Sequence, residues 1–85
     1  MQISVEVAEY SPEVGIRTEW EYGFTIAVRI DEEGVVIQAN KSGLISLARH
    51  LLTLSQDTIP SGRHIHYDEF NSLEEGSNEL IIEKM

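Results

Sequence analysis

Apolar Ile3, Val5 and Val7 alternate with polar Gln2, Ser4 and Glu6, the period of two that a half-buried strand imposes. Ser11-Pro12-Glu13-Val14-Gly15 interrupts the pattern with turn-forming residues. A longer alternation follows, with Trp20, Tyr22, Phe24, Ile26, Val28 and Ile30 on one side and Glu19, Glu21, Gly23, Thr25, Ala27 and Arg29 on the other. It predicts a second strand with one face in the core. Asp31-Glu32-Glu33-Gly34 reads as a type I turn with Gly34 in the left-handed position of a bulge, leading into a third strand over 35–39. Strands two and three therefore form an antiparallel hairpin.

Beyond the hairpin the period changes. Asn40 or Ser42 can cap a helix in which Leu44, Leu47, Ala48, Leu51 and Leu54 or Ser55 follow helical spacing, with Ile45 and Leu52 widening the stripe. Pro60 and Gly62 occupy the two positions a type I turn favours for them. A fourth strand is expected over 64–67, with Ile65 and Tyr67 inward and His64, His66 and Asp68 together on the opposite side. A fifth covers 78–83, with Leu80 and Ile82 inward and Ile81 among the outward Glu79 and Glu83. The expected architecture is α+β: a two-layer, mostly antiparallel five-stranded sheet, order β-β-β-α-β-β, with one helix on one face. The other face is expected to stay open, presenting some of Glu6, Glu19, Glu21, Thr25, Arg29, Gln38, His64, His66, Glu79 and Glu83.

Composition limits what such a fold can do. Eighty-five residues allow a single domain, 1–85, with a modest core. Fifteen Asp and Glu against six Lys and Arg leave a formal net charge of -9, which disfavours nucleic acid and suits a basic protein partner. The absence of cysteine removes disulfides and thiolate zinc sites. The N-terminus has no basic and then apolar run of a signal peptide, and nothing approaches the roughly 18 apolar residues of a membrane span; a cytoplasmic location is expected.

Chemistry-bearing residues are few. His64-x-His66-x-Asp68 is the one spacing that could hold a metal, with Glu79 or Glu83 alongside, but as an exposed polar strand face it needs no ligand, and no metal or other cofactor is expected. No activated nucleophile, nucleophile elbow or phosphate loop is present, so no catalytic residues are assigned and an enzyme is not expected. Trp20 reads as a core residue. Phe70 and Leu73 punctuate a loop of Asp68, Glu69, Glu74 and Glu75; either they tuck the loop onto the core or they are apolar anchors ringed by negative charge. An acidic assembly subunit joined through an exposed sheet edge is a further expectation, although self-repulsion favours a monomer.

The run from Asn40 to Leu54, with Gly43-Leu44 and Leu47-Ala48, then Pro60-Ser61-Gly62, His64-Ile65-His66-Tyr67-Asp68, Leu73-Glu74-Glu75-Gly76-Ser77 and Glu79-Leu80-Ile81-Ile82, resembles immunity protein family 32 of bacterial polymorphic toxin systems. The resemblance covers the C-terminal half. It implies a small cytoplasmic bacterial protein that binds and neutralises a cognate toxin delivered between competing cells. The partner-binding residues expected on this basis and on charge are His64, His66, Asp68, Glu69, Phe70, Glu74 and Glu75.

Overall fold

The computed structural model describes all 85 residues. Its elements are β1 (Ile26–Asp31), β2 (Gly34–Ala39), α1 (Lys41–Leu54), β3 (His64–Tyr67) and β4 (Leu80–Glu83). The class is α+β, but the expected five-stranded sheet is absent. The strands form two separate antiparallel pairs, β1–β2 and β3–β4.

Two expected strands account for the difference. Residues 3–7 alternate correctly yet form no strand, and Ile3 and Val7 are exposed; alternation stabilises a strand only where another layer covers its apolar face. The second strand begins at Ile26, because a turn at Tyr22-Gly23, with Gly23 at φ +78°, breaks the extended run. Tyr22 is thrown into solvent, whereas Trp20 and Phe24 on either side stack with ring centroids 4.3 Å apart. A spacing of four fits the strand period and also fits two residues flanking a turn, which is why the sequence pattern misleads here.

The expected antiparallel β1–β2 hairpin is present, with a register from Ile26↔Ala39 to Asp31↔Gly34. Glu32 and Glu33 both keep negative φ while Gly34 takes φ +125°, which excludes the primed and type II turns and fits the expected type I turn. The Asp31 carboxylate fixes it by accepting from the Glu33 N–H at 2.8 Å and from Arg29 at 3.1 Å; the first of these bonds and then the arginine hold its pKa below the usual carboxylate value. The Pro60 turn lies one residue later than expected. Arg63 N–H donates to Pro60 O, placing Gly62, at φ +89°, third in a type II turn.

No ladder joins the two hairpins. Residues 74–78 run beside β1 instead: Glu74 N–H donates to Ile26 O and Asn78 N–H to Val28 O, both at 2.8 Å, and Val28 N–H donates to Ser77 Oγ at 3.1 Å. The core between them comprises Ile26, Val28, Leu47, Leu54, Ile59, Ile65, Tyr67 and Leu73. Ile65 and Tyr67 are inward as expected, Leu80 and Ile82 are half-buried, and Ile81 is exposed.

Asn40 caps α1, its Oδ1 accepting from the Gly43 N–H at 2.8 Å. The same side chain accepts from Thr25 N–H at 3.0 Å and donates to Gly23 O at 2.9 Å, tying the helix start to the entry of β1. The face α1 buries is not the expected leucine stripe. Gly43, Ser46, Leu47, His50, Thr53 and Leu54 are buried, while Leu44, Leu51 and Leu52 are exposed. The cause lies in the irregular N-terminal segment. Its backbone lacks a sheet partner and must find hydrogen bonds elsewhere, and polar side chains of and just beyond the helix provide them: Ser46 Oγ accepts from Glu21 N–H at 2.8 Å, His50 Nε2 meets Glu19 O at 2.7 Å, and Gln56 meets both Ala8 O and Tyr10 N–H.

Candidate partner-binding site

The tail residues singled out in the sequence divide by role. His64 and His66 are exposed on β3, opposite the buried Ile65 and Tyr67, and His66 Nε2 lies 3.4 Å from Glu79 Oε2. Asp68 stands past the end of β3, half-buried, with Oδ1 accepting from Phe70 N–H at 2.9 Å and Asn71 N–H at 3.0 Å. The carboxylate is thus engaged by its own loop rather than by the imidazoles. No group of three or more His, Asp or Glu side chains is placed to hold a metal ion.

Asp68 instead organises the acidic loop. Its backbone carbonyl accepts from Ser72 N–H at 3.0 Å and Leu73 N–H at 2.8 Å, and Asn71 returns two bonds, from Asp68 N–H and to His66 O, both 3.0 Å. Glu69 Oε2 accepts from Gly76 N–H at 2.9 Å, closing the loop across seven residues. Leu73 inserts into the core, and Glu74 bonds through its N–H to β1. Phe70 takes the opposite course and is 90% exposed. Leu73 thus tucks the loop onto the core, and Phe70 does not. The result is a tied loop presenting one aromatic ring among Glu69, Glu74 and Glu75, all exposed. An ordered loop needs little further ordering when it binds, and an aromatic ring at its tip has the chemistry of an interface anchor.

His50, which the sequence places on the polar side of the helix, is fully buried. Its Nδ1 lies 2.9 Å from Tyr67 Oη, and its ring meets Trp20 edge-on and Tyr67 face-on. A carbonyl only accepts, so the bond to Glu19 O places the proton on Nε2 and leaves Nδ1 to accept from the Tyr67 hydroxyl. Burial lowers the His50 pKa, partly opposed by the Glu19 carbonyl, and burial pushes Tyr67 up to about 12. The pair is a satisfied, buried structural link between α1 and β3. The polar spacing Ser46, His50, Thr53 was the available signal for it. A concave feature of about 290 Å³ lies over Thr25, Ala27, Gln38 and Glu74 and is open to solvent, unlike the enclosed apolar pockets that bind small molecules. No helix is long and apolar enough to cross a membrane.

The arrangement is that of a small acidic α+β domain built to present surface. Residues 34–85, more than half of the chain, match the family model described as Immunity protein 32, and the protein belongs to that family. No curated protein and no solved structure is detectably similar to it.

Proposed function

We propose that the protein is a cytoplasmic, non-catalytic immunity protein that neutralises a cognate secreted bacterial toxin by direct contact, with the loop over 68–76 in the interface. Family membership supports an immunity role. The observation that carries the surface assignment is Phe70, exposed at the tip of a loop tied by Asp68, Glu69 and Asn71. The net charge of -9 favours a basic toxin, since opposite fields raise association rates. Glu74 and Glu75 act as steering charges at the rim, Phe70 as the anchor, and His64 and His66 as the neighbouring polar border.

Co-expression with the toxin encoded beside its gene, followed by co-purification and growth, tests this. Phe70→Ala is expected to weaken the complex at least about 30-fold, the loss of roughly 2 kcal/mol that defines an aromatic hot spot. Glu74→Lys with Glu75→Lys is expected to slow association and reduce its salt dependence. Rescue of growth without any complex would refute neutralisation by contact; full affinity in both variants would place the interface away from this loop.

A further inference from the structure

We propose that the outer edge of β2 pairs with β2 of a second copy of this chain, antiparallel about a two-fold axis at Ile37, to give a continuous four-stranded sheet.

The two edges of the β1–β2 hairpin are treated unequally. On β1, the outward carbonyl of Ile26 and both outward groups of Val28 are taken by residues 74–78. Those bonds also fix the phase of the hairpin. Ile26 and Val28 face Ala39 and Ile37 in rows that do not bond across the pair, so Val35, Ile37 and Ala39 direct their N–H and C=O groups away from β1. No hydrogen bond from elsewhere in the chain reaches them. Edge strands are ordinarily blunted by Lys, Pro or a bulge, yet Gly34-Val35-Val36-Ile37-Gln38-Ala39 contains none of these. The face that buries Ile26 and Val28 stays apolar but becomes exposed towards this edge and the turn. Val35 is 62% exposed, Ile37 42%, and Ile30, paired with Val35, 62%.

The register follows from symmetry. An antiparallel two-fold pairs some residue with its own copy, either one whose groups point outward (Val35, Ile37, Ala39) or one from the non-bonded rows between them; an axis at Val36 leaves Ala39 opposite Glu33 and one at Gln38 leaves Val35 opposite Lys41, so each fills fewer of the outward rows of β2. An axis at Val35 lays Glu33 against Ile37, and an axis at Ala39 brings β2 against the start of α1. An axis at Ile37 pairs Ile37 with itself and Val35 with Ala39, using every outward group of β2, and brings the Glu32–Glu33 turn of one copy towards the start of α1 at Lys41 of the other. The two-fold repeats that match of charge at both ends. Of the fifteen acids, Asp31, Glu32 and Glu33 lie at the turn of this hairpin and the six at 68–83 follow β3; screening over about 8 Å at physiological salt mutes their repulsion. Three backbone rows and a small apolar patch fall short of the roughly 1,200 Å² of a stable assembly, so the dimer is weak and concentration-dependent.

The absence of cysteine gives a clean background for the test. In sedimentation at physiological salt the mass is expected to rise from 9.6 kDa towards twice that value between low and high micromolar concentration. Ile37→Cys is expected to form a disulfide-linked dimer under mild oxidation, whereas Val36→Cys, on the other face and opposite Gln38 of the second copy, is not. Lys41→Glu should weaken association and Glu33→Lys added to it should restore it. A mass of one chain at the highest concentration, or equal cross-linking at 36 and 37, would overturn the proposal. So would a monomeric wild type whose Ile37→Lys variant, still folded by circular dichroism, loses its toxin; the edge would then serve a strand of the toxin.

Discussion

Gly43 sits in the first turn of α1 at the closest approach between helix and hairpin, and replacing it with Ala sets two effects against each other. Helix propensity favours Ala by up to about 1 kcal/mol. Space opposes it. A β-carbon at Gly43 would lie 2.6 Å from Thr25 O, 2.9 Å from Ile26 Cγ1 and 3.0 Å from Ala39 Cβ. None of these can yield cheaply: Thr25 O already accepts from Asn40 N–H at 3.1 Å, Ile26 is fully buried, and Ala39 is held in the β1–β2 ladder. Overpacking of this kind costs about 1–3 kcal/mol, and a clash with backbone belongs at the upper end. The net expectation is a loss of about 2 kcal/mol, or a fall in Tm of roughly 8–16 °C for a domain of this size. Urea unfolding followed by circular dichroism measures it, with the exposed Ala48→Gly as a control that loses about 1 kcal/mol through propensity alone. A Gly43→Ala protein as stable as the wild type, at unchanged m, would show that helix and hairpin do not approach as closely as described.

Further outcomes follow from the same contacts. Asn40→Ala removes the helix cap and the two bonds to Gly23 and Thr25, and is expected to cost about 1–2 kcal/mol in thermal or urea unfolding. Leu73→Ala should cost about 2–5 kcal/mol and Phe70→Ala no more than about 0.5 kcal/mol, since only the first is buried; equal losses would contradict the division of roles in the acidic loop. Because His50 has a lowered pKa when folded, its contribution is complete above the ordinary histidine value of 6.5 and is lost as pH falls below it; wild-type stability should therefore drop towards pH 5 relative to His50→Gln, by at most about 1.4 kcal/mol per pH unit. Tyr67 acts at the other end: its raised pKa of about 12 against 10.0 makes stability fall as pH rises from 10 to 12, by about 2–3 kcal/mol in all, readable as unfolding coincident with tyrosinate absorbance.

The sequence makes legible what depends on neighbouring residues. The β1–β2 turn follows from Gly34 taking a positive φ, and the inward set Ile65 and Tyr67 from the pleat of β3. Illegible was whatever depends on a partner distant in the chain. Residues 3–7 have the period of a strand and no layer to lie on. Residues 74–78, which read as a loop of turn formers, bond along β1 with their backbone and so do part of the work assigned to a sheet strand. In the candidate site, the exposed His64 and His66 were legible from strand phase, whereas the capture of Asp68 by its own loop was not, because extending the alternation one residue past Tyr67 assumed that the strand went on.

The rotation of α1 is the most instructive departure. A leucine stripe normally marks the buried face, since burying such a side chain contributes about 1.5–3 kcal/mol. Here an unsheeted N-terminal segment must be packed too, and each buried backbone group left unbonded costs about 1–3 kcal/mol. Turning Ser46 and His50 inward satisfies Glu21 N–H and Glu19 O, with Gln56 doing the same for Ala8 and Tyr10 beyond the helix; Leu47 and Leu54 remain buried, while Leu44, Leu51 and Leu52 are left exposed. The bonding side chains all belong to residues 34–85, the part matched by the family, and the groups they bond belong to residues 8–21, outside it. Those groups are backbone, which any sequence supplies, whereas Arg49 bonds the Glu21 carboxylate at 2.8 Å and His50 meets the Trp20 ring, contacts that depend on residue type. The helix thus holds residues 8–21 largely through N–H and C=O, with Trp20 and Glu21 as positions where it also reads side chains.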